Sequence, residues 1–520
     1  MNSSQALPPD QQMQPFTGNR PKRHFLSRGV MGISLLAGCG SVAHAADSRP
    51  NILWIGLDDA RADVLGSYGA AWATTPNIDR LAAEGVRFHN AIVQNPVCIP
   101  SRNSMKTGYY PYEVGPVEMG RTPEVKGDYI DHERMSQLNE TSLLDVWTNS
   151  GMKPMNLGKL HARHDCINDL GDAPRLVNVR GEPTPFFRQQ IGIPEPLYLN
   201  DLTAHTKKYQ WLIGGILNVK PELTETWRLG DLAVEQLHEL SEQEDPFFLR
   251  VSFHAPHVGC YVPPEYFVDP ALIDLPLPTE EERALKPRFE QGPLHEYAGA
   301  DLTPEQIGLA RGTYFGMINL VDVQIGRILN VLEEQGLLNK TIIAFTSDQG
   351  FQLGEHGLWK KRVFYEDNVR TPFILRYPKA LPKNKTIEDP VELIDFLPTL
   401  LDISGFDVPR EIRGRSLMPL INGQVAAWRK ATFSEIDHSQ SMYDELRQGT
   451  GRRVMVRTTD WKLVYFFDSR VADKDGALYH LIEDPGERIN LYHDPQYRGV
   501  IARLEDLAER WHKGENLFIE

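Results

Sequence analysis

Three aspartates, a glutamine and one cysteine carry the chemistry that stands out in this chain. Asp58 and Asp59 are neighbours, Asp348 precedes Gln349, and Cys98 lies in Asn95-Pro96-Val97-Cys98-Ile99-Pro100-Ser101-Arg102. Like charges held together are costly unless a cation offsets them. Asp58, Asp59, Asp348 and Gln349 offer only oxygen ligands, the preference of a hard cation such as Ca2+ rather than Zn2+. Pro100 suits the first turn of a helix that runs on through Lys106 to a stop at Thr107-Gly108. Cys98 therefore stands over unpaired backbone N–H groups and the positive end of a helix dipole, a setting for anions.

Several predicted strands position these groups. Asn51–Leu57 is an unbroken apolar run of strand length and ends at Asp58-Asp59. Neighbours on a regular strand point to opposite faces, so both aspartates address one site only if the chain leaves the strand there. Lys153–Leu157 leads to Gly158, Lys159 and His161. Pro246–Phe253 delivers His254-Ala255-Pro256-His257, and Thr341–Ser347 delivers Asp348-Gln349. In open α/β sheets the functional crevice lies outside the carboxyl ends of the strands, which is where all four runs place their polar residues. Trp227–Leu240 and Leu309–Glu334 read as helices, and Asp460–Phe467 alternates like a strand ahead of a closing helix over Val500–Lys513.

Cys-x-Pro-Ser-Arg at Cys98–Arg102, continuing through Ser104 and Lys106-Thr107-Gly108, resembles the signature of the type I sulfatases. Ser347-Asp348-Gln349-Gly350, followed by Leu353-Gly-Glu-His-Gly357 and Lys361, resembles the second signature of that family. His254-Ala-Pro-His257 is similar to the branch that includes iduronate-2-sulfatase. The resemblance covers nearly all of the mature chain. It implies an alkaline-phosphatase-like α/β fold, a mixed sheet sandwiched by helices, with a small C-terminal α+β subdomain. It also implies oxidation of Cys98 to formylglycine (3-oxoalanine) by a formylglycine-generating enzyme. Asp58, Asp59, Asp348, Gln349 and residue 98 are then the Ca2+ ligands, although Gln349 stands where the family often has asparagine or histidine.

In the chemistry so implied, one hydroxyl of the hydrated aldehyde at Cys98, held by Arg102, attacks sulfur. His254, ranked above His257, protonates the leaving oxygen, and Lys159 and Lys361 neutralise charge on the sulfate oxygens. His161 helps deprotonate the second hydroxyl, so that sulfate is expelled. The family context points to sulfate esters of carbohydrates, on uronic acid or amino sugar residues. Two alternatives stay open: a phosphonate or phosphate ester hydrolase of the same superfamily, and a non-catalytic, lipid-anchored binder of sulfated glycans.

At 520 residues the chain exceeds the usual single domain. The expected division is an export leader over 1–46, a catalytic domain over 47–413 and a C-terminal subdomain over 414–520. A formal charge of −15 argues against a nucleic-acid binder. The leader has a charged region at Arg20–Arg28, an apolar run over Val30–Val42 and an Ala43-His44-Ala45 cleavage site. Lys22-Arg23-His24-Phe25-Leu26 is similar to a twin-arginine signal, and Leu36-Ala-Gly-Cys39 to a lipobox that would lipidate Cys39. The expected location is outside the cytoplasm: periplasmic, outer-membrane lipoprotein or secreted. Cys166 and Cys260 are left either to pair in an oxidising compartment or to remain buried thiols. His438 and Arg452-Arg453 are candidates for setting specificity.

Overall fold

The computed structural model describes residues 49–115, 142–160, 167–178, 180–199, 204–205, 212–287, 290, 302–425, 428–437, 451–467 and 475–518. His161, Cys166, His438 and the leader with Cys39 lie outside the described residues. Nine strands form the main sheet: β1 (Asn51–Leu57), β2 (Val86–Ile92), β3 (Pro154–Gly158), β4 (Asn168–Gly171), β5 (Phe248–Ser252), β6 (Thr341–Ser347), β7 (Arg370–Arg376), β8 (Lys385–Ile387) and β9 (Val391–Glu392). Their order is β8-β2-β7-β6-β1-β5-β3-β4, with β9 also beside β2. β7 runs antiparallel to both its neighbours, and the remaining pairs are parallel.

Burial explains why the central strands read as apolar runs without alternation. Every residue of β1, β5 and β6 is buried, because helices cover both faces. On one face, Leu53, Ile55, Leu249, Val251, Ile343 and Phe345 pack with α1 (Pro76–Ala83), α3 (Glu225–Ser241) and α4 (Pro304–Glu334). On the other, Ile52, Trp54, Phe248, Ile342 and Ala344 pack with α2 (Cys98–Thr107) and α5 (Phe396–Ile403). α4 starts earlier than its apolar periodicity predicts, because Thr303 and Gln306 form a capping box around Pro304.

Register, more than composition, makes the site. Leu57 pairs with Ser347 across β1–β6, and Gly56 and Gly158 both pair with Ser252. The residues that follow, Asp58, Lys159 and Asp348, therefore leave the sheet at one edge. Gly158 has φ +84, and a Cβ there would lie 2.3 Å from the Ser252 carbonyl oxygen, so only glycine lets β3 turn out at this level.

The C-terminal region adds an antiparallel meander of β10 (Thr432–Asp437), β11 (Arg452–Arg457), β12 (Trp461–Phe466) and β13 (Gly476–His480). α6 (Arg498–His512) packs Leu504, Ala508 and Trp511 against Phe433, Val454 and Leu463. Arg452 and Arg453, considered above for specificity, are instead buried in this sheet. Arg452 pairs with Glu435 at 2.6 Å and lies over the rings of Tyr112 and Phe467, an environment closed to substrate.

Candidate active site

Cys98 is the first residue of α2 rather than a residue ahead of it, capped by Val97 in extended conformation. It is 1% exposed. Its sulfur lies 3.4 Å from Asp58 Oδ1, 4.0 Å from Asp59 Oδ1, 3.3 Å from Gln349 Nε2 and 2.7 Å from Lys361 Nζ. Burial and the Asp58 carboxylate push the thiol up to about 12, outweighing Lys361 and Lys159. The expected helix-dipole preference for an anion is thus overruled at this sulfur. A thiol in this setting stays protonated at neutral pH and is a poor nucleophile.

The turn after β1 brings both aspartates to one place, as the sequence requires. Asp59 has φ +68, a left-handed conformation that is strained for a residue with a Cβ. Two contacts hold it there: its N–H donates to Asp348 Oδ1 at 3.1 Å, and its carbonyl accepts from the Tyr314 hydroxyl at 2.7 Å. Asp58 receives Lys159 Nζ on Oδ2. Burial works against the charged form of Asp58, but the Lys159 and Arg102 cations hold it well below the usual carboxylate range. Asp59 is raised, mainly by burial and against the pull of Lys361.

Arg102, one turn along α2, reaches back across this cluster. Its Nε donates to Asp348 Oδ2 at 2.7 Å and its Nη1 to Ser252 Oγ at 3.2 Å, while Nη2 lies 3.7 Å from Asp58 Oδ1. Lys361 Nζ bonds Asp59 Oδ1 at 2.6 Å. Burial opposes its charge, yet Asp59 and Cys98 raise it above the ordinary lysine value. Asp58, Asp59, Cys98, Arg102, Lys159, Asp348, Gln349 and Lys361 thus converge, although they come from five separate segments.

The two histidines of His254-Ala-Pro-His257 separate. His254 Nδ1 accepts from Arg175 Nη2 at 2.9 Å, and its Nε2 lies 2.5 Å from Asp172 Oδ2. His257, ranked lower from sequence, faces Asp58 and Cys98, with one ring nitrogen within 4.8 Å of an oxygen and the sulfur of that pair. Burial and the Lys159 ammonium hold its protonation well below the usual histidine value.

Other partners had weak signals or none. Arg250 interrupts the apolar run of β5, and that was the available clue. It donates to Asn156 Oδ1 at 2.6 Å and Ser252 Oγ at 3.0 Å, stacks on Trp54 and so braces the acceptor that Arg102 uses. Asp172 and Arg175 come from a stretch with no readable pattern. Within the second signature, Glu355 and His356 do not reach Cys98. Glu355 accepts from Arg61, and His356 stacks on Tyr365. Both line a separate cleft of about 640 Å³ whose lining does not include Cys98. Cys260 is a buried free thiol that donates to the Pro256 carbonyl.

The acidic cluster fits a divalent cation. Carboxylate oxygens of Asp58, Asp59 and Asp348 lie within 4.8 Å of one another. Asp59 Oδ2 and Gln349 Oε1 are buried with no hydrogen-bond partner among the described residues. Gln349 turns its amide nitrogen toward Asp59 Oδ1, and turning the amide over presents Oε1 to a cation instead.

Burial raises Asp348 to about 7, so without a cation the native cluster keeps a proton that the unfolded chain has released. Stability of the cation-free protein then falls as pH climbs from about 4 to about 7. A chelator is therefore expected to lower Tm more at pH 8 than at pH 5. Equal shifts in thermal unfolding at the two pH values would refute this.

Known proteins place the chain. Residues 50–406 match the family model described as Sulfatase, and residues 354–513 match the one described as N-sulphoglucosamine sulphohydrolase, C-terminal. The chain is 26% identical to an N-acetylglucosamine-6-O-sulfatase of Bacteroides thetaiotaomicron, over 92% of this chain and 89% of that protein. It is 28% identical to iduronate 2-sulfatase of Mus musculus, over 91% and 98%. In structure it resembles the phosphonate monoester hydrolase of Silicibacter pomeroyi, with TM-score 0.72, 24% identity and coverage of 90% and 96%. The chain belongs to the sulfatase family, a family of sulfuric ester hydrolases.

Proposed function

We propose that this enzyme hydrolyses sulfate esters on saccharides, with formylglycine at position 98 and a divalent cation held by Asp58, Asp59, Asp348 and Gln349. The observation that carries the reading is the setting of Cys98: a fully buried thiol ringed by Asp58, Gln349 and Lys361 and pushed up to about 12. So much polar machinery around an unreactive thiol makes sense if the residue works in another chemical form. The saccharide part is supported by the relatives, an N-acetylglucosamine-6-O-sulfatase and an iduronate 2-sulfatase.

A bound cation supplies Lewis-acid polarisation of oxygen, and the aldehyde hydrate supplies hydroxyls where the thiol stands. Arg102 holds the Asp348 carboxylate in place and keeps the strand ends together through Ser252. Lys361 and Lys159 stand on two sides of the cluster, ready to hold negative oxygens of a sulfate group. His254 Nε2, now directed at Asp172, is the atom to hand a hydrogen bond to the leaving oxygen. His161 would serve residue 98 as the resemblance implies. Export through the 1–46 leader, and the division at 413/414, belong to the same proposal.

Rates on matched 4-nitrophenyl sulfate and phenylphosphonate esters test the reaction class. The expected result is a preference for sulfate of at least about a hundredfold in kcat/KM. A preference for the phosphonate would sink the reading. Sulfated monosaccharides left untouched by an enzyme active on aryl sulfates would remove its saccharide part.

A further inference from the structure

His257 holds a nitrogen lone pair against the acidic cluster, with no proton between them. Its Nδ1 lies 3.0 Å from the Val258 carbonyl oxygen, which only accepts, so Nδ1 carries the ring hydrogen and Nε2 is bare. Nε2 lies 3.9 Å from Asp59 Oδ2, the buried carboxylate oxygen without a hydrogen-bond partner among the described residues. Two acceptors thus face each other, one on a fully buried carboxylate and the other on a ring whose side chain is 18% exposed. A positively charged guest resolves that conflict, and the same histidine also lies within ligand reach of Asp58 and Cys98. A ring whose second nitrogen donates to a backbone carbonyl has the outer hydrogen bond that metal-ligating histidines use to fix their tautomer.

We infer that His257 is a nitrogen ligand of the divalent cation, through Nε2. The inference rests on the metal-binding part of the function proposed above and extends it to the kind of metal. With Asp58, Asp59, Asp348 and Gln349 alone the donors are all oxygen, which suits Ca2+. One imidazole among them moves the site toward ions that accept mixed nitrogen and oxygen ligands, such as Mn2+. Gln349 and His257 then act together, the longer amide on one side of Asp59 and the ring on the other.

Pulsed electron paramagnetic resonance on the full chain loaded with Mn2+ reads coordination directly, without turnover. Wild type is expected to show imidazole-nitrogen modulation that disappears in His257→Gln. By calorimetry the same variant is expected to bind Mn2+ about tenfold more weakly and Ca2+ within about threefold of wild type. Modulation absent from wild type, or persisting in His257→Gln, overturns the inference, as does equal weakening toward both ions. Because wild type is itself informative, a variant that fails to fold does not end the test. Failure to hydrolyse any sulfate ester would strike the functional proposal and leave the coordination result standing.

Discussion

Cys98→Ala is expected to fold, to bind a divalent cation, and to hydrolyse sulfate esters at least about four orders of magnitude more slowly than wild type. The substitution removes one sulfur atom from the first turn of α2 and leaves Asp58, Asp59, Asp348 and Gln349 in place. Any reaction that runs through residue 98 stops, whereas one that merely uses the cation and the lysines would lose far less. Steady-state rates on 4-nitrophenyl sulfate decide the matter, beside an intact-mass measurement on wild type. The mass should show oxygen in place of sulfur and the loss of two hydrogens. A variant within tenfold of wild type, by the measure of the same assay, would place the nucleophile elsewhere.

Arg102→Met is expected to cost about 3–5 kcal/mol of stability as well as activity. Arg102 is 6% exposed and ties Asp348 to Ser252, so its loss strands buried carboxylates that keep only more distant positive neighbours. Urea unfolding gives the number, and added divalent cation should restore part of it by binding the folded state. Arg102→Lys should not substitute, because one ammonium cannot reproduce the Nε and Nη1 contacts together. A loss under about 1 kcal/mol would mean that Lys159 and Lys361 carry the electrostatics without Arg102.

Much of this arrangement could be read from the chain itself. The apolar runs that became β1, β5 and β6 announced their burial, and their polar ends announced one edge of the sheet. Asp58-Asp59 could be read as a departure from strand geometry, and Asp59 does take a left-handed conformation. What escaped was the direction of individual side chains. His254 and His257 are three residues apart on a turn, and nothing in their spacing says which ring meets Cys98 and which meets Asp172 and Arg175. Arg452 and Arg453 carried charge that suggested a surface, whereas Glu435 and a ring of aromatics keep Arg452 inside. Glu355 and His356 sit within a signature yet brace Arg61 and Tyr365, because a shared motif does not oblige every member to face the same cavity.

The lid over Cys98 is built from chain that follows it at long range: Gln349 comes 251 residues later and Lys361 comes 263 later. At usual elongation rates that interval lasts on the order of tens of seconds. Gln349 and Lys361 can cover the cysteine only once β6 is made and pairs with β1; in the folded protein Cys98 is 1% exposed. Under the proposed function, an enzyme that oxidises residue 98 by gripping the peptide around it would have a window set by synthesis and folding, and a chain that folds first would shut it out. Slowing the folding of the downstream half would lengthen that window, and the fraction of chains that mature would then be governed by a race rather than by affinity alone.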